Sequence, residues 1–129
     1  DYSRINLKDS AEEIIKKIKK AKSDSDSIPD NLKSLEKKPE AHNLLNIYSE
    51  ITKVKLEKVL LEMAGKEYSY LKKELADVLV NEICPVGKEI TKLMSDKGYL
   101  LEILKKGNEK ANIKAEENLK NIRDIIGFI

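Results

Sequence analysis

Apolar residues recur three and four positions apart along most of this chain, and only five glycines and three prolines interrupt them. That spacing lays a stripe along one side of an α-helix. An all-β chain needs many Gly-bearing tight turns, and a doubly wound nucleotide fold needs a Gly-rich phosphate loop; five glycines suit neither. The reading is therefore all-α: a bundle of about six helices arranged as antiparallel neighbours, in one domain. A hydrophobic share of 40% against 37% charged residues supports a buried core rather than a disordered tail. No apolar run reaches the length of a membrane span or a signal segment. The single cysteine, Cys84, excludes an internal disulfide and fits a reducing compartment. Asp1 stands where a Met would open a complete chain, so the expectation is a piece of something longer.

The helices can be placed from their caps and stripes. Residues 1–9 read as an extended lead-in. Ser10 and Glu13 have capping-box spacing, and Ala11, Ile14, Ile15, Ile18 and Ala21 make the stripe of a first helix ending near Lys22. Residues 23–38 read as a loop interrupted by Pro29, with a possible helical turn near Asn31 to Leu35. Pro39 suits the first position of a second helix, which carries Leu44, Leu45, Ile47, Tyr48 and Ile51. A third helix, Lys55 to Ala64, ends at Gly65 as a left-handed cap. Ser69 is placed as the cap of a long central helix running to about Ser95, with Leu71, Leu75, Val78, Leu79, Val86, Ile90 and Leu93 on one side and Ala76, Val80 and Cys84 on another. Pro85 should kink it. A short helix from Tyr99 to Lys106 should break at Gly107, and a last helix from Asn108 to Ile126 should bury Ala111, Ala115, Leu119, Ile122 and Ile126.

Catalytic chemistry is poorly supplied. His42 has no Cys, His or carboxylate partner at metal-ligand spacing, so it reads as structural or solvated. Cys84 reads as packing. No nucleophile–base pair, zinc spacing or phosphate loop is visible, so no catalytic and no metal-binding residue is assigned. Net charge is only +2, from 25 basic and 23 acidic residues. The basic residues are nearly all Lys, with Arg4 and Arg123 the exceptions, and Ile and Asn are frequent. That skew reflects coding bias more than nucleic-acid binding. The more informative signal is positional: Lys110 and Lys114 stand one turn apart on the side of the last helix opposite its stripe. Lys106 lies beyond the Gly107 break, and Ile113 and Asn121 fall nearby. Ammonium groups in a row can track phosphates, and Asn can read base edges. An ordinary solvated face, with Glu109 and Glu117 close by, explains the same spacing. Tyr48, Tyr68, Tyr70 and Tyr99 can stack on bases or pack against the core.

An ordered set of residues points further. Ser3-Arg4-Ile5-Asn6-Leu7 and Asp9 are followed by Ile14, Lys17, Ile18, Lys20, Ala21 and Asp24. Then come Pro39-Glu40, Asn43-Leu44-Leu45 and Ile47-Tyr48, and later Leu71-Lys72-Lys73, Leu75-Ala76, Val80 and Pro85. The set closes with Tyr99-Leu100, Gly107, Lys110-Ala111, Ala115, Leu119, Arg123 and Gly127. In this order and with these gaps, the chain resembles the tryptophanyl-tRNA synthetases of bacterial or organellar type, over the part that follows their KMSKS signature loop. Two departures stand out: the 23–38 loop lacks a Gly often found there, and Lys takes many positions that are Arg in relatives.

The resemblance implies a class I synthetase with a Rossmann catalytic domain and a C-terminal helical domain. Such an enzyme uses ATP and magnesium to activate tryptophan as the adenylate and passes it to tRNA-Trp. The HIGH and KMSKS signatures and the tryptophan pocket are absent here, so this chain alone is not expected to be catalytic and needs no cofactor of its own. Residues 1–9 would be the lead-in after the KMSKS loop, and 10–129 the helical anticodon-binding domain. The implied partners are tRNA-Trp, the enzyme's own Rossmann domain and a second subunit of a homodimer, in the cytoplasm or an organellar matrix and without a membrane. Lys110, Lys114 and Arg123 are the residues placed on tRNA. Projection sets Arg123 beside the core stripe, where a structural ion pair competes with an RNA contact. Separation from a catalytic domain is expected to expose Ile14, Ile15 and Ile18. A different class of function, a non-enzymatic helical protein-interaction module, is also compatible with near-neutral charge and amphipathic helices.

Overall fold

A computed structural model describes residues 2–23 and 25–127. Asp1 and Asp24, used above for the chain's origin and its resemblance, lie outside the described residues. Six helices and no strand are present among the described residues: α1 Ala11–Lys20, α2 Leu32–Leu35, α3 Pro39–Thr52, α4 Leu56–Met63, α5 Tyr68–Ser95 and α6 Lys97–Ile126. The chain divides into two compact units, Asp1–Glu89 and Ile90–Ile129, with the division inside α5.

Local chemistry sets the ends of these helices. The α1 capping box is complete: Ser10 Oγ accepts from the Glu13 N–H at 3.2 Å, and the Ser10 N–H donates to Glu13 Oε2 at 2.8 Å. Asn31 caps α2 by accepting from the Ser34 N–H at 2.9 Å. Pro39 occupies the first turn of α3, where its missing N–H leaves no intrahelical bond unmade. Lys53 ends α3 in the left-handed region at φ 56°, which a β-carbon makes costly, and Gly65 takes the same region after α4 at φ 73°. At α5 the expected cap shifts. The helix begins at Tyr68, and the Ser69 hydroxyl donates to Glu67 Oε2 at 3.1 Å instead of capping. Pro85 lies within α5, which continues to Ser95.

The first unit holds the core. Ile14 and Ile18 of α1, Ile28 of the connecting loop and Leu35 of α2 enter it. They join Ala41, Leu44 and Leu45 of α3 and Val59, Leu60 and Met63 of α4. Tyr68, Leu71, Leu75, Ala76 and Leu79 of α5 complete it. Removing that much apolar surface from water is the main stabilising term. Ile14 and Ile18 are thus buried and Ile15 half-buried, which corrects the expectation that this stripe lies open. Ile14 and Ile18 belong to the first unit's own core, and Ile15 packs against it. The central-helix stripe is buried only as far as Leu79; Val86 is exposed, and Ile90 and Leu93 are half-buried.

The long 23–38 segment is tied down at its centre. The Ile28 N–H donates to the Lys66 carbonyl at 3.0 Å, and the Gly65 N–H donates to the Ile28 carbonyl at 2.9 Å. This exchange fixes the loop to the α4–α5 turn while the Ile28 side chain fills the core.

The lead-in is anchored too. Lys17 pairs with Asp9, whose carboxylate also accepts from the Asn6 N–H at 2.8 Å. Lys20 Nζ sits 4.0 Å from the Tyr2 ring centroid. At Gly87 of α5 a β-carbon would come within 2.5 Å of the Leu7 carbonyl oxygen, so the absence of a side chain is what lets the lead-in backbone approach.

The second unit differs from expectation. Gly107 does not divide two helices; α6 is continuous over 30 residues. A glycine within a helix costs about 1 kcal/mol relative to Ala, too little to break a run of Leu, Glu, Lys and Ala neighbours. Nor does α6 bury a stripe. Ala111, Ala115, Leu119, Ile122 and Ile126 are all exposed, and of the whole helix only Leu100 is half-buried.

Candidate nucleic-acid interface

The start of α6 is fixed by Asp96, whose carboxylate accepts from the Tyr99 N–H at 2.9 Å. Its end is fixed by Gly127, at φ 71°, whose N–H donates to the Arg123 carbonyl. Between these caps the uninterrupted helix sets Lys106, Lys110 and Lys114 four residues apart. Each step advances about 6 Å along the axis and turns about 40° around it. The three ammonium groups form a row in solvent, and Lys106 joins it because Gly107 leaves the helix intact. Asn121 and Tyr99 project toward the same side, with Glu117 among them. Among the described residues no ion pair involves an α6 side chain, so the row's ammonium groups are held by no carboxylate contact.

Arg123 is nine residues beyond Lys114, two and a half turns, and so projects from the opposite side of α6. It is exposed, and no structural ion pair holds it among the described residues. The structure thus brings Lys110 and Lys114 together and leaves Arg123 apart from them. The far side of α6 also carries apolar groups in water: Leu104 is 66% exposed and Ile126 63%.

The remaining sequence candidates spread out. His42 and Cys84 are half-buried, and Cys84 packs against the core. Tyr68 is buried and Tyr48 half-buried, which leaves Tyr70 and Tyr99 open among the tyrosines singled out. Tyr70 is already covered by the Lys66 ammonium, 4.2 Å from its ring centroid.

A feature that stripes and caps did not reveal lies in the first unit. A groove of about 570 Å³ runs between α1 and α5, lined by Ile15, Lys19, Ser23, Ser69, Lys72, Lys73, Ala76 and Asp77. Lys72 Nζ donates to the Ala21 carbonyl at 2.6 Å, the Lys19 carbonyl at 3.3 Å and Ser23 Oγ at 3.0 Å. It places a cation at the negative end of the α1 dipole. Burial there pulls the Lys72 ammonium below its ordinary pKa. In sequence Lys72 is one lysine of an adjacent pair; only the packing of α5 on α1 gives it this task.

Among the described residues no three His, Cys, Asp or Glu side chains gather to hold a metal ion, and no helix is long and apolar enough to cross a membrane.

Comparison with known proteins gives a consistent relationship. Residues 1–83 match the family model "tRNA synthetases class I (W and Y)". Over 129 residues the chain is 43% identical to tryptophan–tRNA ligase of Rhizobium meliloti. It is 40% identical to that of Mesorhizobium japonicum and 41% identical to that of Rickettsia felis. All of this chain is covered in each alignment, but only 36% of the first two relatives and 38% of the third.

Proposed function

The chain belongs to the class I tRNA synthetases of the tryptophan and tyrosine group, and from that premise we propose that it is the helical, anticodon-binding part of a tryptophan–tRNA ligase. In this reading residues 1–9 lead in from the KMSKS loop, and 10–129 form the domain that meets tRNA-Trp. The remainder of the enzyme supplies the Rossmann domain, the ATP, magnesium and tryptophan sites and the homodimer contact. The enzyme works in the cytoplasm or an organellar matrix. The family match displaces the alternative of a free-standing interaction module.

The observation that carries the tRNA assignment is the Lys106–Lys110–Lys114 row on an uninterrupted helix, in solvent and in no ion pair with another described residue. Lys110 and Lys114 act as point charges on successive phosphates and fix the strand's register along α6. Arg123 makes a separate contact from the other side of the helix. Each ammonium displaces condensed counterions, so affinity falls as salt rises.

The test uses the full-length protein that carries this chain. Lys110→Glu with Lys114→Glu should weaken tRNA-Trp binding about tenfold or more and flatten its salt dependence. ATP-dependent tryptophan activation should stay unchanged. The loss from Arg123→Ala should add to that of the pair, as for distant, independent sites. Unchanged tRNA affinity in the double variant would overturn the assignment.

A further inference from the structure

α6 carries a seam that reads alike from either end. From Leu101 to Ile125 its positions recur at alternating intervals of three and four residues, the spacing of a coiled-coil contact line. Their order is mirrored about Ile113. Leu101 and Ile125 stand 12 residues to either side of it, and Leu104 and Ile122 stand 9. Asn108 and Asn118 stand 5 residues away, and Ala111 and Ala115 stand 2. All of them are exposed on a helix that buries nothing, Leu101 to 66% and Ile125 to 83%.

We infer that α6 pairs antiparallel with α6 of a second copy of this chain, with the two-fold axis at the level of Ile113. Leu104 then meets Ile122 of the second copy, and Leu101 meets Ile125. Asn108 meets Asn118, and each amide offers the other both a donor and an acceptor. Ala111 and Ala115 meet beside the axis, where short side chains let the two backbones come close. The asparagines select this occupant. A continuous apolar surface would bury both amides without partners, at a cost. A second copy answers each with an asparagine at the same level. The antiparallel setting also lays the positive end of one helix dipole beside the negative end of the other, whereas a parallel pair sets like ends together.

The pairing is weak. A helix of 30 residues is about 45 Å long, so the pair buries on the order of 1,000 Å², the lower edge for a specific interface. Lys114 of both copies also meets across the axis, with its stem splayed into water. A Kd of about 100 μM follows from so small a contact, and the stripe lies open at the lower concentrations of an unfolding experiment. Lys106 and Lys110 project away from the seam, so pairing leaves them in solvent. This contact is separate from the homodimer contact assigned to the rest of the enzyme and does not rest on the tRNA-binding reading.

Sedimentation equilibrium of the 129-residue chain, from about twentyfold below that Kd to about fivefold above it, tests the pairing. The mass should rise from monomer toward dimer. Leu104→Glu should weaken association tenfold or more, because each copy then buries a carboxylate against Ile122. Adding Ile122→Lys to Leu104→Glu should restore the dimer, since each Glu now faces a Lys of the second copy; a parallel pair would set Glu against Glu and Lys against Lys. Both positions are open on the monomer, so melting at low concentration should match the parent. A parent chain that stays monomeric throughout would overturn the inference. So would a dimer that Leu104→Glu leaves intact, or one that the second substitution fails to restore. Amide exchange on the full-length protein adds a further check. Protection along Leu101 to Ile125 at concentrations where the 129-residue chain is monomeric would assign the seam to another part of the same protein and overturn the pairing.

Discussion

α1 and α6 are both amphipathic, yet they end in opposite states. The ten-residue α1 buries Ile14 and Ile18 and is held by a full capping box, an ion pair and Lys72 at its carbonyl end. The 30-residue α6 buries nothing, although Leu104, Ala111, Ala115, Leu119, Ile122 and Ile126 share one side. Periodicity identifies the side of a helix that can be buried. Whether it is buried depends on tertiary partners, which spacing within one helix does not encode. In the first unit those partners come from five helices and one loop residue, Ile28.

The contrast should be plainest in stability. Leu45→Ala opens a fully enclosed site and should cost about 2–5 kcal/mol in denaturant unfolding. Leu104→Ala on α6 should stay within about 0.5 kcal/mol. Similar losses at the two sites would mean that the α6 stripe is covered in solution. Next comes the lead-in. Gly87→Ala drives a methyl into the Leu7 carbonyl and should cost about 1–3 kcal/mol, with faster amide exchange over residues 5–9. Unaltered exchange there would show that the lead-in does not rest on α5. Ser10→Ala removes one half of the capping box and should cost about 1 kcal/mol, with Ser10→Gly losing less.

The smallest effect is acid sensitivity of the lead-in. The Lys17 ammonium, then the Asn6 backbone N–H, holds the Asp9 carboxyl below its ordinary 3.8. Glu13 is lowered from 4.5 by the Ser10 backbone N–H, then its hydroxyl. Both groups are favoured in the native state as carboxylates. Their contribution is therefore complete above the ordinary values and lost as pH falls through the lower native ones. Asp9→Asn should flatten the fall in lead-in protection below pH 3.8, while α6 exchange stays the same in both proteins.

Much of the fold was legible because its signals are local. Ser10 with Glu13, Asn31, Pro39 and Gly65 each do where they stand what their side chains favour, and the stripes of α1, α3 and α4 turn inward as spaced. The misses are non-local. Ile28 sits in a Ser- and Asp-rich segment and reads as loop until its backbone is seen bonded to Gly65 and Lys66. Gly107 reads as a break because glycine is weak in helices, but its neighbours carry the helix through. Lys110 and Lys114 were legible as a row because four-residue spacing is a helix property. Arg123 was legible beside the apolar stripe, away from that row, by the same projection; only Lys106 needed the helix to run on through Gly107. The α1–α5 groove joins residues some fifty positions apart, and no spacing rule connects Lys19 with Lys73.

The most direct test of the central claim is an anisotropy titration of this chain with tRNA-Trp and a non-cognate tRNA, at low and at physiological salt. The account predicts that a preference for tRNA-Trp survives the higher salt, because base contacts add to phosphate attraction. Equal affinities that vanish together as salt rises would contradict it, leaving only a cationic surface that any polyanion can find.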